Sequence, residues 1–242
     1  MNPGVDVHAV LFDFNGTLSD DEPLLAEIYA TIFRDELGIE LARHEYFESL
    51  AGLSDPEIVA RVLERSGRAQ DHDLAAALLH ERTRRYVAAV RDRPRIPPGA
   101  VALVRAVAGH VPVGVVTGAA RAEVEAALDA AELAGAVRFV VAREDVERGK
   151  PDPQGYVIAL EQLSPLRAST IMVFEDSIPG LRAARAAGMR PIAVAGTADP
   201  AELAREAGGV VDRLDPAELA WLLDALADRT RVRAPRKGSA DG

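Results

Sequence analysis

"LFDFNGTLSDDE", residues 11–22, drives an apolar run into Asp13, turns through Asn15, Gly16 and Thr17, and ends on Ser19, Asp20, Asp21 and Glu22. With the preceding "VHAV" it makes a continuous apolar strand over 7–13, the pattern of a strand covered on both faces of a parallel sheet. Parallel sheets bind ligands beyond the carboxyl ends of their strands, so an acid followed by a glycine turn reads as a chemical site. The second polar position of that site is an amide, Asn15, where another carboxylate could have stood.

Working outward, further apolar runs of strand length lie at 111–117, 137–142, 169–176, 190–196 and 208–212. Helical segments follow them at 119–133, 152–163, 178–188, 200–207 and 216–228, two of these opened by "DPAE" at 199–202 and 215–218, with Asp as cap and Pro at the first turn. Strands alternating with helices predict parallel pairing with right-handed crossovers. Residues 22–93 break the alternation. "EPLLAEIYATIFRDELG" sets Leu25, Ile28, Ile32 and Phe33 on one helical face, "SDPE" at 54–57 is a capping box, and 73–93 reads as one long helix before "PRIPPG" (94–99) returns the chain to the core. An all-helical insert directly after a catalytic-looking loop reads as a cap. The expected division is therefore a core of 1–21 and 94–228, a cap of 22–93, and a basic, disordered tail of 229–242.

The chain has 242 residues, 48% of them hydrophobic, enough for one large α/β domain with an insert and too many for a disordered chain. A net charge of −10 argues against nucleic acid as the main partner. It leaves room for a small phosphorylated molecule, which needs only one or two local cations. The absence of cysteine removes disulfides, thiol nucleophiles and cysteine-ligated zinc. No Lys or Arg precedes Arg34 and no apolar stretch approaches the ~20 residues of a membrane span, so a soluble cytoplasmic protein is expected. The histidines share no metal-ligand spacing, Arg84 and Arg85 read as a solvated helix face, and Trp221 with Leu219, Leu222 and Leu226 reads as core packing.

The polar residues that end the strands carry the chemistry: Asp13, then Thr117-Gly118, then Glu175-Asp176, with Lys150 in the loop "ERGKPDP" (147–153). "DFNGTL", "VVTG", "GKPDP" and "FEDSIPG" occur in the order and spacing of four motifs, and the chain resembles the haloacid dehalogenase superfamily. The likeness is to the branch with a helical cap that includes phosphoglycolate phosphatases and β-phosphoglucomutases, and it runs from about residue 7 to 228. The resemblance implies a Rossmann-like parallel sheet with helices on both faces and an all-helical cap inserted after the first strand. It also implies Mg2+ and roles for individual residues. Asp13 would be the nucleophile that forms an aspartyl-phosphate, and Thr117 and Lys150 would assist it. Asn15, Gly16, Thr117, Gly118 and Lys150 would bind phosphate, and Asp13, Asn15 through its carbonyl, Glu175 and Asp176 would bind the metal.

Asn15 departs from the family pattern, which has Asp there as general acid and base. An amide cannot exchange a proton at neutral pH, and that help is worth roughly 10²–10⁴ in rate. The expectation is a metal-dependent phosphatase of a small phosphorylated metabolite, slowed or specialised by Asn15, with Asp20, Asp21 and Glu22 as nearby acids. A non-catalytic binder of a phosphorylated ligand is the main alternative. A β-phosphoglucomutase-like phosphotransferase fits less well, since "LAGLSDP" (50–56) holds no cation. A dehalogenase would leave Glu175-Asp176 without purpose. The Asn15-Gly16 pair is also prone to deamidation, which would restore the acid.

Overall fold

The computed structural model describes residues 6–196 and 198–233. Six parallel strands, β1 (Ala9–Phe12), β2 (Val113–Val116), β3 (Phe139–Val141), β4 (Ile171–Glu175), β5 (Arg190–Val194) and β6 (Val210–Val211), form one sheet in the order β3-β2-β1-β4-β5-β6. The chain winds outward from β1 in both directions, which makes the carboxyl end of β1 a topological switch point. The strands are apolar in their interiors because both faces are covered, with charged residues only at their ends, Glu175 of β4 and Arg190 of β5. Val10 and Phe12 pack with α5 (Pro98–Ala108), α6 (Arg121–Ala130) and α10 (Ala220–Arg233), while Ala9 and Leu11 pack with α7 (Gln154–Gln162) and α8 (Ile178–Ala186). A ninth helix, α9 (Pro200–Glu206), sets Leu203 against Ala193 of β5.

Between β1 and α5 the chain forms only helices: α1 (Glu22–Leu37), α2 (Arg43–Ser49), α3 (Asp55–Arg65) and α4 (His72–Asp92). This is the all-helical cap inserted after the first strand. Leu25, Ile28, Ile32 and Phe33 are buried on one face of α1, and Gly38 ends that helix in the left-handed conformation. Glu57 accepts from the Ser54 N–H at 2.9 Å and from its hydroxyl at 2.6 Å, fastening the start of α3. Helix α4 buries Leu78, Arg82, Tyr86 and Val90, one residue per turn, and packs on core helix α6.

Three local expectations shift. "PRIPPG" contains the start of α5, with Pro98 in its first turn, where a missing N–H costs nothing. The second "DPAE" forms a turn, capped by Asp215 on the Ala217 N–H at 2.8 Å, and α10 begins only at Ala220. That helix continues to Arg233, past residue 229 where the tail was expected to start, and 234–242 lie outside the described residues. Trp221 packs against the core beside Leu222 and Leu226, as its spacing suggests. Among the described residues, no helix is long and apolar enough to cross a membrane.

Candidate active site

Strand register brings the acids together. Phe12 of β1 lies opposite Phe174 of β4, with their rings stacked at 5.3 Å, so the next residue of each strand, Asp13 and Glu175, emerges at the same edge. The Asp13 N–H donates to the Phe174 carbonyl at 2.9 Å and continues the ladder into the site. On the other side Phe12 lies opposite Val115, and Thr117 follows just beyond β2. A cavity of about 760 Å³ opens here between sheet and cap, lined by Asp13, Asn15, Thr117, Gly118, Lys150, Glu175 and Asp176. Of the phosphate- and metal-binding residues that the resemblance implies, Gly16 alone is absent from that lining. It lies beneath, with φ +75, where a Cβ would collide with the Asp176 carboxylate.

Lys150 reaches in from the loop before α7. Its ammonium donates to the Asp13 carboxylate and, at 2.5 Å, to Oε1 of Glu175, and it lies 5.7 Å from the centre of the Tyr156 ring. Burial pushes the Asp13 carboxyl well above its ordinary value; Lys150 opposes this and the charges of Glu175 and Asp176 add to it. Burial pulls the Lys150 ammonium down, but Asp13 and Glu175 outweigh it and hold the ammonium well above its usual value. Three carboxylates thus face one ammonium, an imbalance that a divalent cation would correct.

The donors suit such an ion in part. Asp13 and Asp176 line one cavity, and the Thr17 hydroxyl fixes Asp176 by donating to its Oδ1 at 3.0 Å. Two carboxylates, a backbone carbonyl, waters and substrate oxygens make a hard-cation set, so the residues fit Mg2+. Glu175 is differently employed. Its Oε1 accepts from Lys150, and its Oε2 accepts from the Ser177 N–H at 2.7 Å and hydroxyl at 2.9 Å. A Cβ on Gly180 would overlap that carboxylate, so Glu175 is wedged against the start of α8 as an anchor for Lys150. Among the described residues, no three His, Cys, Asp or Glu side chains gather as a metal-ligand group.

Thr117 accepts from the Ala119 N–H at 3.0 Å, which leaves its hydroxyl proton free to donate into the cavity. Asn15 Nδ2 donates to Asp21 Oδ2 at 2.8 Å, and the Tyr86 hydroxyl of α4 donates to the same oxygen at 2.6 Å. Asp21 precedes α1 but does not cap it; its carboxylate is spent on Asn15 and Tyr86, and its Oδ1 is buried without a hydrogen-bond partner. Burial raises the Asp21 carboxyl to about 7, against the lowering effect of hydrogen bonds from Tyr86, Asn15 and Ser19. The three acids after the turn therefore separate. Asp20 is exposed, Asp21 is buried behind Asn15, and Glu22 lines the cavity, its carboxyl raised by burial and bonded to the Tyr46 hydroxyl at 2.9 Å. Gly16 donates its N–H to the Ser19 carbonyl at 3.0 Å, which occupies the nitrogen that would attack the Asn15 side chain in deamidation.

The cap wall of the cavity holds an ion cluster that local sequence reading passes over. Arg82, 2% exposed, pairs with Glu123 of α6 and, at 3.2 Å, with Asp55 of α3. Thr83 donates to Glu123 at 2.6 Å, and Arg143, just after β3, reaches Asp55 at 3.4 Å. The four-residue spacing Leu78-Arg82-Tyr86-Val90 was the available signal that Arg82 sits on the buried face. Arg84 and Arg85 pair with Glu81 at 2.6 Å on the outer side of α4 and do not line the cavity.

A family model described as haloacid dehalogenase-like hydrolase matches residues 7–188. The validoxylamine A 7'-phosphate phosphatase of Streptomyces hygroscopicus subsp. limoneus is 32% identical over 198 residues, covering 80% of this chain and 88% of that protein. The CbbY protein of Cereibacter sphaeroides is 34% identical over 196 residues, covering 77% and 83%. The crystal structure of CbbY from Rhodobacter sphaeroides in complex with phosphate superimposes with a TM-score of 0.72 at 28% identity, over 88% of this chain and 96% of that one.

Proposed function

The chain belongs to the haloacid dehalogenase-like hydrolases, and from that premise we propose that it is a Mg2+-dependent phosphatase of small phosphorylated metabolites, working through a phosphoryl group carried on Asp13. The observation that carries this reading is the Lys150 ammonium set between Asp13 and Glu175 on a cavity that Asp176 also lines. Relatives named as a validoxylamine A 7'-phosphate phosphatase and, from Escherichia coli, a fructose-1-phosphate phosphatase support the substrate range.

A carboxylate and a phosphate dianion repel, and the site is built to let them meet. Lys150 offsets charge on Asp13 and the phosphoryl oxygens, and the Thr117 hydroxyl donates to one of those oxygens. Mg2+, held by Asp13, Asp176 and the Asn15 carbonyl, would supply the remaining positive charge. An Asp13 oxygen bonds to phosphorus as the bond to the leaving oxygen breaks. Water then attacks phosphorus and breaks the Asp13–phosphoryl bond, releasing phosphate and restoring the carboxylate. Asn15 can orient the leaving oxygen or the water by hydrogen bonds but exchanges no proton. Of the neighbouring acids, Glu22 is the one placed on the cavity wall to supply a proton, so Glu22→Gln should lower turnover of alkyl phosphates more than of p-nitrophenyl phosphate, whose leaving group needs none.

The deciding experiment is phosphate release from a panel of phosphorylated metabolites, with Mg2+ and with chelator, on the native protein and on Asp13→Asn. Turnover that chelator and Asp13→Asn both abolish supports the reading; turnover that survives Asp13→Asn overturns it. A second reading rests on Asn15 itself: a protein that binds a phosphorylated ligand without hydrolysing it, marked by saturable binding with no phosphate released from any member of the panel.

A further inference from the structure

Among the described residues four cations line the cavity, and each meets a carboxylate of the protein. Lys150 is bound to Asp13 and Glu175 at the phosphoryl end. Arg148 pairs with Asp152 at 2.6 Å. Arg82 and Arg143, one from the cap and one from the core, converge on Asp55 at 3.2 and 3.4 Å, and Arg82 is held also by Glu123. Asp55 is itself fixed: the Tyr29 hydroxyl donates to its Oδ1 at 2.6 Å, and its side chain is 10% exposed. Glu22, Glu57 and Glu147 also line the cavity. A second anionic group on a substrate would therefore meet carboxylates and no uncommitted cation. Hydroxyl and ammonium groups would find acceptors.

We infer that Asp55 is a specificity residue, holding Arg82 and Arg143 so that the site takes phosphate monoesters whose leaving part is neutral or cationic and bears hydroxyls, and turns away those with a second phosphate or a carboxylate. This rests on the phosphatase reading above. Releasing Asp55 converts the wall. Arg82 keeps Glu123, whereas Arg143 loses the carboxylate it reaches here and becomes available to an anion.

The test compares kcat/KM for glucose 6-phosphate, 6-phosphogluconate and glucose 1,6-bisphosphate, with p-nitrophenyl phosphate as a generic ester, in native protein, Asp55→Asn and Asp55→Asn/Arg143→Ala. Asn keeps an acceptor for Tyr29 and removes the charge. The native protein should favour glucose 6-phosphate by at least about tenfold over both anionic sugars, Asp55→Asn should narrow that ratio by about tenfold through a lower KM for them, and the double variant should restore it. Equal use of the three sugars by the native protein, or an unchanged ratio in Asp55→Asn, overturns the inference even if all are hydrolysed. Should no ester turn over, p-nitrophenyl phosphate included, the phosphatase reading fails instead. The same three ligands are then ranked by calorimetric Kd, where tight binding of the bisphosphate to native protein overturns the inference. An Asp55→Asn protein that does not fold leaves the native ratio and that of Arg143→Ala, which should be close to each other; a drop in native use of the anionic sugars on losing Arg143 overturns it.

Discussion

Replacing Asp21 by Asn should make stability less sensitive to pH, by an amount that follows from its burial. The side chain has no solvent exposure, and its carboxyl is raised from 3.8 to about 7. A raised acid is protonated in the native state over a range where the unfolded chain has already released its proton, so stability falls as pH rises from about 4 to about 7 and is level above. Three units at 1.36 kcal/mol each correspond to about 4 kcal/mol, of which about 2.5 kcal/mol accrues between pH 5 and pH 8. Asn is neutral throughout, and its Oδ1 can accept from Asn15 and Tyr86 as Asp21 Oδ2 does. Its amide nitrogen replaces the Oδ1 that has no hydrogen-bond partner, a cost that does not vary with pH. Urea unfolding of native and Asp21→Asn protein in chelator, at pH 5 and pH 8 with equal m-values, isolates the charge. The stability difference should move about 2.5 kcal/mol in favour of the variant on going to pH 8. A difference that stays constant within about 0.5 kcal/mol would show that Asp21 is not held protonated, and the account of the Asn15–Asp21–Tyr86 group would be wrong.

Asn15→Asp should raise steady-state turnover of an alkyl phosphate by at least about tenfold, within the roughly 10²–10⁴ that a general acid supplies, and an unchanged rate would mean that another acid already does this work. Gly16→Ala forces an L residue to φ +75 and drives a methyl into Asp176, so Mg2+ titrations should show weakened metal binding together with lost turnover. Glu123→Ala leaves Arg82, 2% exposed, with only Asp55 as counter-ion, and denaturant unfolding should show a loss of about 3 kcal/mol; under about 1 kcal/mol the pair is not what joins α4 to α6. Intact mass should stay unchanged on prolonged incubation at pH 8, because the Gly16 nitrogen is engaged by Ser19; a gain of one mass unit at Asn15 would show that the turn opens.

The alternating strands, the helical insert and the polar residues at strand ends could be read from the sequence because each is a local signal. An unbroken apolar run marks a strand covered on both faces, and a cap or a glycine turn acts over three or four residues. The same locality explains where the reading shifts: "PRIPPG" signals both a turn and a helix start, and the second "DPAE" caps a turn that tertiary packing does not extend into a helix. Side-chain partners are a different matter. Asp13 and Lys150 lie 137 positions apart, Arg82 and Glu123 41 apart, and nothing local announces that Glu175 will be wedged between Lys150 and Ser177. The sequence by itself determined the architecture and the residue types of the site. Only the tertiary structure decided which charges neutralise which, because the strength of an ion pair depends on distance and burial, and both are set by strand register and by the packing of cap on core.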